Sequence, residues 1–280
     1  MRCGPPKYDG PMMNTTNTVG DQLRMWRQRR RLSQLDLACE ADISARHVSF
    51  LETGRSLPSR EMLLRLAERL DIPLRERNPL LLSAGYAPMY AERKLDDPAL
   101  SQARKAIDLV LAGQEPYPAL AIDRHWSLIS ANNALAPMLA GVAPRLMEPP
   151  VNVLRVGLHP EGLAPRVENF GEWRWHLLSR LRHQIDATAD PILVELHAEL
   201  QAYPVTGHPH PEGPMEDYGG VLVPFRLRTE RGVLSFFGTT TVFGTPLDIT
   251  LAELAIESFF PADSQTAQLL AAAARGKRAP

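Results

Sequence analysis

The sequence predicts two domains: an all-α domain of five short helices, then an α+β domain with an antiparallel sheet. Three observations carry this. Residues 18–86 break into short runs with apolar positions at helical spacing, opened by Thr or Ser caps. Residues 116–262 change character, with β-rich runs flanking a helical stretch over 163–202. The charge also changes sign: residues 1–77 hold 14 Lys+Arg against 10 Asp+Glu, and residues 78–280 hold 17 against 22. A basic first quarter suits an anionic partner. At 280 residues, 44% hydrophobic and 22% charged, the chain is long enough for two cores, and its composition excludes a wholly disordered protein.

The elements follow in order. Residues 1–17, rich in Pro and Gly, are expected to be a disordered tail. Thr18 caps a first helix carrying Leu23 and Trp26 and closing on Arg29, Arg30 and Arg31. Ser33 caps a second, with Leu35, Leu37, Ala38 and Ala41 on its apolar side. Asp42-Ile43 makes a turn, and Ser44 caps a third helix that stops at Thr53-Gly54. Pro58-Ser59 opens a fourth, with Leu63, Leu66, Ala67 and Leu70 inward, and residues 74–86 form a fifth that ends at Gly85. Residues 87–115 are expected to be a helical connector, with Leu100, Ala103, Ile107 and Leu111 in register.

In the second domain, PALAIDRHWSLISAN reads as strand, turn, strand. The helical stretch places Phe170, Trp173, Leu177, Leu178 and Leu181 on one face. GVLVPFRLRTERGVLSFFGTTTVF reads as a hairpin around residues 229–232. LDITLAELAIESFF reads as a strand with one bulge, and residues 263–280 as a polar tail.

No apolar run approaches the ~20 residues of a membrane helix, and the N-terminus lacks a signal-peptide core. A cytoplasmic location without membrane contact is expected. Cys3 and Cys39 are too few for a disulfide framework or a four-thiolate zinc site, and Cys39 is expected to pack as a small apolar residue. His208-Pro-His210-Pro-Glu212 and the Glu172, His176, His183 series lack the convergent ligands a metal needs. Neither a phosphate-cradling glycine loop nor a nucleophile elbow occurs. Asp123, Asp190, Glu195 and Glu199 have no evident catalytic partner. No enzyme activity, metal or cofactor is expected.

The string Ser33-Gln34-x2-Leu37-Ala38-x4-Ile43-Ser44-x3-Val48-x2-Leu51-Glu52-x-Gly54-x3-Pro58 joins caps, core and turn at one spacing. It resembles the phage-repressor-like helix-turn-helix of the XRE family, over about residues 18–77. The resemblance implies that helix 44–52 enters the major groove of double-stranded DNA. Ser44 at the cap and Ala45, Arg46, Ser49 and Phe50 on the outer side of the helix would contact the DNA, with Arg46 suited to a guanine edge. Gln34 matches a position that grips phosphate and braces the reading helix. Arg55 and Arg60 lie where phosphate contacts are expected. One module spans a short half-site, so a homodimer is expected. An antitoxin, a sigma-like element or a protein-binding helical module would use similar helices.

Helices inserted between strands 126–131 and 221–228 give a PAS-like order. ERNPLLLSAGYAP, YPALAIDRHWSLISANNA and VLSFFGTTTVFGTPLDITLAELAIESFFPAD together resemble the MmyB-like ligand-binding domain found behind XRE modules. That resemblance implies a pocket for a small apolar, fatty-acid-like ligand. Trp126, Phe170, Trp173, Leu177, Leu181, Phe225, Phe236 and Phe243 would supply its apolar surface. Asn132, Asn133, Arg174 and Thr239–Thr241 would orient a polar head. The same apolar stripe serves equally as core, so a domain used only for dimerisation or for a protein partner stays open. An enzyme on this scaffold is a distant third.

Overall fold

The computed structural model describes residues 18–204, 223–244 and 246–276, which divide after Tyr90 into two units. The His208-to-Glu212 motif lies outside the described residues.

The first unit holds α1 (Val19–Arg29), α2 (Gln34–Glu40), α3 (Ala45–Glu52), α4 (Arg60–Arg69) and α5 (Leu74–Ser83). Its helices start where the caps stand. The Thr18 hydroxyl accepts from the Asp21 amide while the Asp21 carboxylate accepts from the Thr18 amide, and Ser33 and Asp36 repeat this reciprocal box. Ser44 and Ser59 cap α3 and α4 through the amides of His47 and Met62. Each such cap is worth about 1 kcal/mol. Leu23, Trp26, Leu37, Val48, Leu51, Leu63, Leu66 and Leu70 meet in one core. Leu35, expected inside, is 62% exposed, because Leu37, Ala38 and Ala41 already define the buried face of α2. Cys39 is also exposed rather than packed.

Gly20 marks a close approach of α1 to the end of α3. A Cβ there would stand 2.6 Å from the Leu51 carbonyl oxygen and 2.7 Å from that of Glu52. Alanine in a helix ordinarily gains about 1 kcal/mol over glycine. Here the clash is with backbone, and the strain of overpacking, about 1–3 kcal/mol, wins. Gly20→Ala is therefore expected to destabilise the first unit, read as faster hydrogen exchange in α1 and α3. Unchanged or slower exchange would refute the close approach.

The second unit is built on an antiparallel sheet of β1 (Ala119–Ile122), β2 (Leu128–Ala131), β3 (Phe225–Thr229), β4 (Gly232–Val242) and β5 (Ala255–Pro261), in the order β2-β1-β5-β4-β3. The chain preceding it forms α6 (Ser101–Gly113), and α7 (Val153–Leu158), α8 (Phe170–Thr188) and α9 (Pro191–Ala202) lie between β2 and β3, the expected insertion. Side chains alternate across a sheet, and directly paired residues share a face. Ala119, Ala121 and Ile256 face α6 and bury its Ile107 and Leu111. Leu120, Glu257 and Thr240, paired in register, lie on the opposite face.

Three expectations change here. The 87–115 segment is not all connector, since α6 is packed into the second unit. The reading of residues 247–260 as one bulged strand fails at its start. Asp248 accepts from the Thr250 amide and opens a single helical turn, α10 (Ile249–Ala252), so strand alternation begins only at Ala255. The expected polar tail forms α11 (Ser264–Gly276). Fully buried Thr266 accepts from the Ser235 amide, and Leu269 and Leu270 pack on the main core.

Among the described residues, no helix is long and apolar enough to cross a membrane.

Candidate functional site: a basic helix face and an apolar cavity

The exposed side of α3 is organised around an aromatic ring. Phe50 is half-buried, with the Arg46 guanidinium 5.2 Å from its ring centre and that of Arg55 at 5.8 Å. Each such contact contributes about 0.5–1 kcal/mol at an exposed site. Arg46, Arg55 and Arg60 are exposed; Ala45 and Ser49 are half-buried beside them. Gly54, at φ +71°, turns the chain out of α3 and so presents Arg55, whose amide bonds back to the Phe50 carbonyl. The Ser44 hydroxyl is committed to the helix cap.

Behind this face lies a buried ion pair that sequence reasoning left without a role. Glu52 is 5% exposed. It accepts from Arg27 Nε at 2.6 Å and Nη2 at 3.0 Å, and from the Gln34 amide at 2.9 Å. Gln34 thus braces α3 from the start of α2. Burial alone would push the Glu52 carboxyl up; the Arg27 and Gln34 hydrogen bonds and the charges of Arg27 and Arg24 outweigh it and hold Glu52 below the usual range. The available signal was a Glu beside Leu51 and an Arg beside Trp26, each adjoining a core position.

The second unit encloses a cavity of about 390 Å³ between α8, the sheet and the chain over 135–157. Four of the candidates line it: Trp126, Trp173, Leu177 and Phe225. Trp173 stacks on Phe225 at 4.8 Å between ring centres. The others lie elsewhere. Phe170, Leu181 and Phe236 are buried in the core without lining the cavity, Phe236 behind Phe225 and Phe259. Phe243, one residue beyond the end of β4, packs with the α6 cluster on the far face. Asn132 is structural: its Oδ1 accepts from the Ala119 amide and its Nδ2 donates to the Leu111 and Tyr117 carbonyls. Asn133 donates to Glu115. Arg174 turns to the carbonyls that end α9, Leu200 and Gln201, and burial lowers its pKa.

The polar end of the cavity centres on Arg180 and Glu257, which the sequence did not single out. Arg180 on α8 donates to both Glu257 oxygens, at 3.2 and 2.9 Å, and to Thr240 Oγ1 at 3.0 Å. Its guanidinium lies 4.9 Å from the centre of the Trp126 ring. The Thr240 hydroxyl donates to Glu257 at 2.9 Å, so of the Thr239–Thr241 run this one joins the network. His176 lies against Trp173. Burial first, then the Arg180 charge, lowers its pKa against the opposing pull of Glu257 and Glu172, which leaves it neutral near pH 7. Trp126 itself holds φ +65°, a costly conformation for a bulky residue, at the wall of the cavity.

Three of the four carboxylates named in the sequence, Asp123, Asp190 and Glu199, are held in structural bonds. Asp123 accepts from the His125 and Ser127 amides in the β1–β2 turn. Asp190 caps α9 and bonds His125, and Glu199 pairs with Arg155. Among the described residues, no three His, Cys, Asp or Glu side chains converge on a metal position.

A helix-turn-helix module with Arg46 exposed on α3 and Arg55 and Arg60 exposed just beyond it, joined in one chain to an α+β domain around an apolar cavity, has the make-up of a DNA-binding transcription regulator. Residues 18–80 match a helix-turn-helix domain family, and residues 103–273 match the MmyB-like transcription regulator ligand binding domain. The chain belongs to the MmyB-like transcription regulators. Two solved structures are similar in part. The clp gene regulator ClgR from Corynebacterium glutamicum is 24% identical, with a TM-score of 0.22, over 38% of this chain and 99% of that one. An RNA-binding light-oxygen-voltage receptor is 12% identical, with a TM-score of 0.27, over 94% of this chain and 66% of that one. Comparison with curated proteins gives no match.

Proposed function

We propose that this regulator acts in the cytoplasm as a homodimer, reads its operator with α3, and binds a small apolar, fatty-acid-like molecule in the second unit. The observation that carries the ligand reading is the 390 Å³ cavity, apolar along its walls and polar at one end, a size and lining typical of small-molecule sites. Exposed Arg46 on α3, with Arg55 and Arg60 following it in the chain, supports the DNA reading. Arg46 would contact base edges, with Ser49 and Phe50 beside it. Gln34, Arg55 and Arg60 would meet the backbone, where contacts set register rather than sequence. Ligand would act by preferring one arrangement of the two reading helices, and it can shift that balance only by its difference in affinity between the two.

The DNA arm is tested by selecting a binding sequence from a random duplex library and comparing variants on it. Arg46→Ala is expected to weaken binding to the selected duplex about 5- to 150-fold, the equivalent of one lost bidentate base contact of 1–3 kcal/mol, with the fold intact. Arg60→Ala is expected to weaken all duplexes alike. An Arg46→Ala protein with unaltered sequence preference would exclude Arg46 as a base reader. The ligand and dimer arms are tested together by native mass spectrometry of the full-length protein followed by solvent extraction. A dimer with an extractable apolar molecule supports the reading. A dimer with no ligand, even after exposure to candidate amphiphiles, would favour a domain used for dimerisation alone.

A further inference from the structure

The charge balance at the polar end of the cavity specifies the head of the occupant. Among the described lining residues, only His176, Arg180 and Glu257 carry ionisable side chains. Arg180 and Glu257 cancel, being joined by two hydrogen bonds and bridged by Thr240. His176 adds no charge near neutral pH, since burial and Arg180 both disfavour its protonation. The described lining therefore offers hydrogen bonds at its polar end but no net charge.

The pair is also fixed in place. Glu257 sits in the middle of β5, opposite Leu120 on one side and Thr240 on the other, and its side chain is 8% exposed. Arg180 is pinned between that carboxylate and the Trp126 ring. An entering carboxylate would compete with a buried Glu257 that cannot swing away, and would bring a second negative charge to a single arginine. An entering ammonium would meet the Arg180 charge in the same way. A head that is neutral and both donates and accepts can bond to either partner without breaking the pair.

We propose that the cavity selects an uncharged amphiphile, with a hydroxyl, amide or ester head on an apolar chain, over the ionised fatty acid of the same length. This deepens the ligand reading above and rests on it. The chain half of that reading stands on the apolar walls; the head half stands on the Arg180–Glu257 pair.

The test uses the full-length protein with dodecanol, dodecanoate and dodecylamine below their micelle concentrations, at about pH 8, where the acid is ionised. Trp126, Trp173 and Trp175 line the cavity and report binding by fluorescence, with calorimetry as a check. Dodecanol is expected to bind at least about tenfold tighter than either charged probe, a difference of about 1.4 kcal/mol. Glu257→Gln removes the negative charge and leaves Arg180 uncompensated, so dodecanoate should gain about tenfold relative to dodecanol. Gly238 is the control for location. It lines the cavity, and a Cβ there would meet no atom within 4 Å, so Gly238→Leu should fill the space and abolish binding. Dodecanoate binding as well as or better than dodecanol would overturn the head assignment and leave the cavity as a ligand site. Failure of every probe, or binding that survives Gly238→Leu, would overturn the site itself. If Glu257→Gln does not fold, the ranking of the three probes on the unaltered protein still decides.

Discussion

Replacing Glu52 with alanine is expected to cost the first unit about 3–5 kcal/mol, the usual loss when one member of a buried ion pair is removed. Arg27 is 8% exposed and would keep only its bond to the Leu32 carbonyl. Gln34 would lose the anchor that ties α2 to the end of α3. Glu52→Gln keeps the shape and one acceptor and should cost less. The measurement is hydrogen exchange of the α3 amides in the full-length protein, which reports opening of this unit separately from the other. A loss below about 1 kcal/mol would show that the pair is solvated in solution.

The same residue gives a pH dependence with a defined sign. Arg27, Gln34 and Arg24 overcome burial and depress the Glu52 pKa in the folded state. Between the folded and unfolded pKa values, the unfolded chain then binds more protons than the folded one. The stabilisation from Glu52 is fully present above the unfolded value, near 4.3. It is lost as pH falls through that value towards the folded one. Stability of the first unit should therefore fall more steeply on acidification in the unaltered protein than in Glu52→Gln. Parallel profiles would contradict the depressed pKa.

Trp126→Ala is expected to destabilise the second unit by about 3 kcal/mol or more, within the range for deleting a large buried aromatic. Three interactions go with the indole: packing on the cavity wall, the stack with Arg180, and the Nε1 bond donated to Gln184 at 2.8 Å. Alanine at φ +65° relieves none of the backbone strain. The turn is held independently, by the Trp126 amide on Asp123 and the Trp126 carbonyl accepting from Val153, so local structure should survive while stability falls. Trp126→Phe keeps the ring but strands the Gln184 oxygen, and should cost about 1 kcal/mol. Hydrogen exchange of β1 and β2 reads both variants. Equal exchange in all three proteins would mean the indole carries no stability.

What could be read from the sequence differs between the two sites. The helix-turn-helix was legible nearly to the residue. Thr18, Ser33, Ser44 and Ser59 each act on an amide three positions away, and Gly54 acts on its own φ. Such interactions are local, so their spacing in the chain is their geometry in space. The exposed face of α3 follows from the same periodicity. The cavity was legible in kind but not in detail. Trp173 and Leu177 were marked by the apolar stripe of α8, yet Leu181 on that stripe only packs. Arg180 on the same helix passed unnoticed because its partner, Glu257, lies 77 positions on.

The sequence by itself determined the five-helix unit with its helix-turn-helix, and an α+β unit with helices inserted between its second and third strands. Tertiary structure alone decided which face of the sheet each side chain joins. It placed Phe225 at the cavity and Phe243 behind the sheet, drew α6 and α11 into the second unit, and buried Glu52 on Arg27 and Glu257 on Arg180. The physical reason is range. Caps and periodicity act within one or two helical turns and are written in adjacent letters. Strand parity, helix docking and buried ion pairing depend on which distant segments meet, and spacing along the chain carries no record of that.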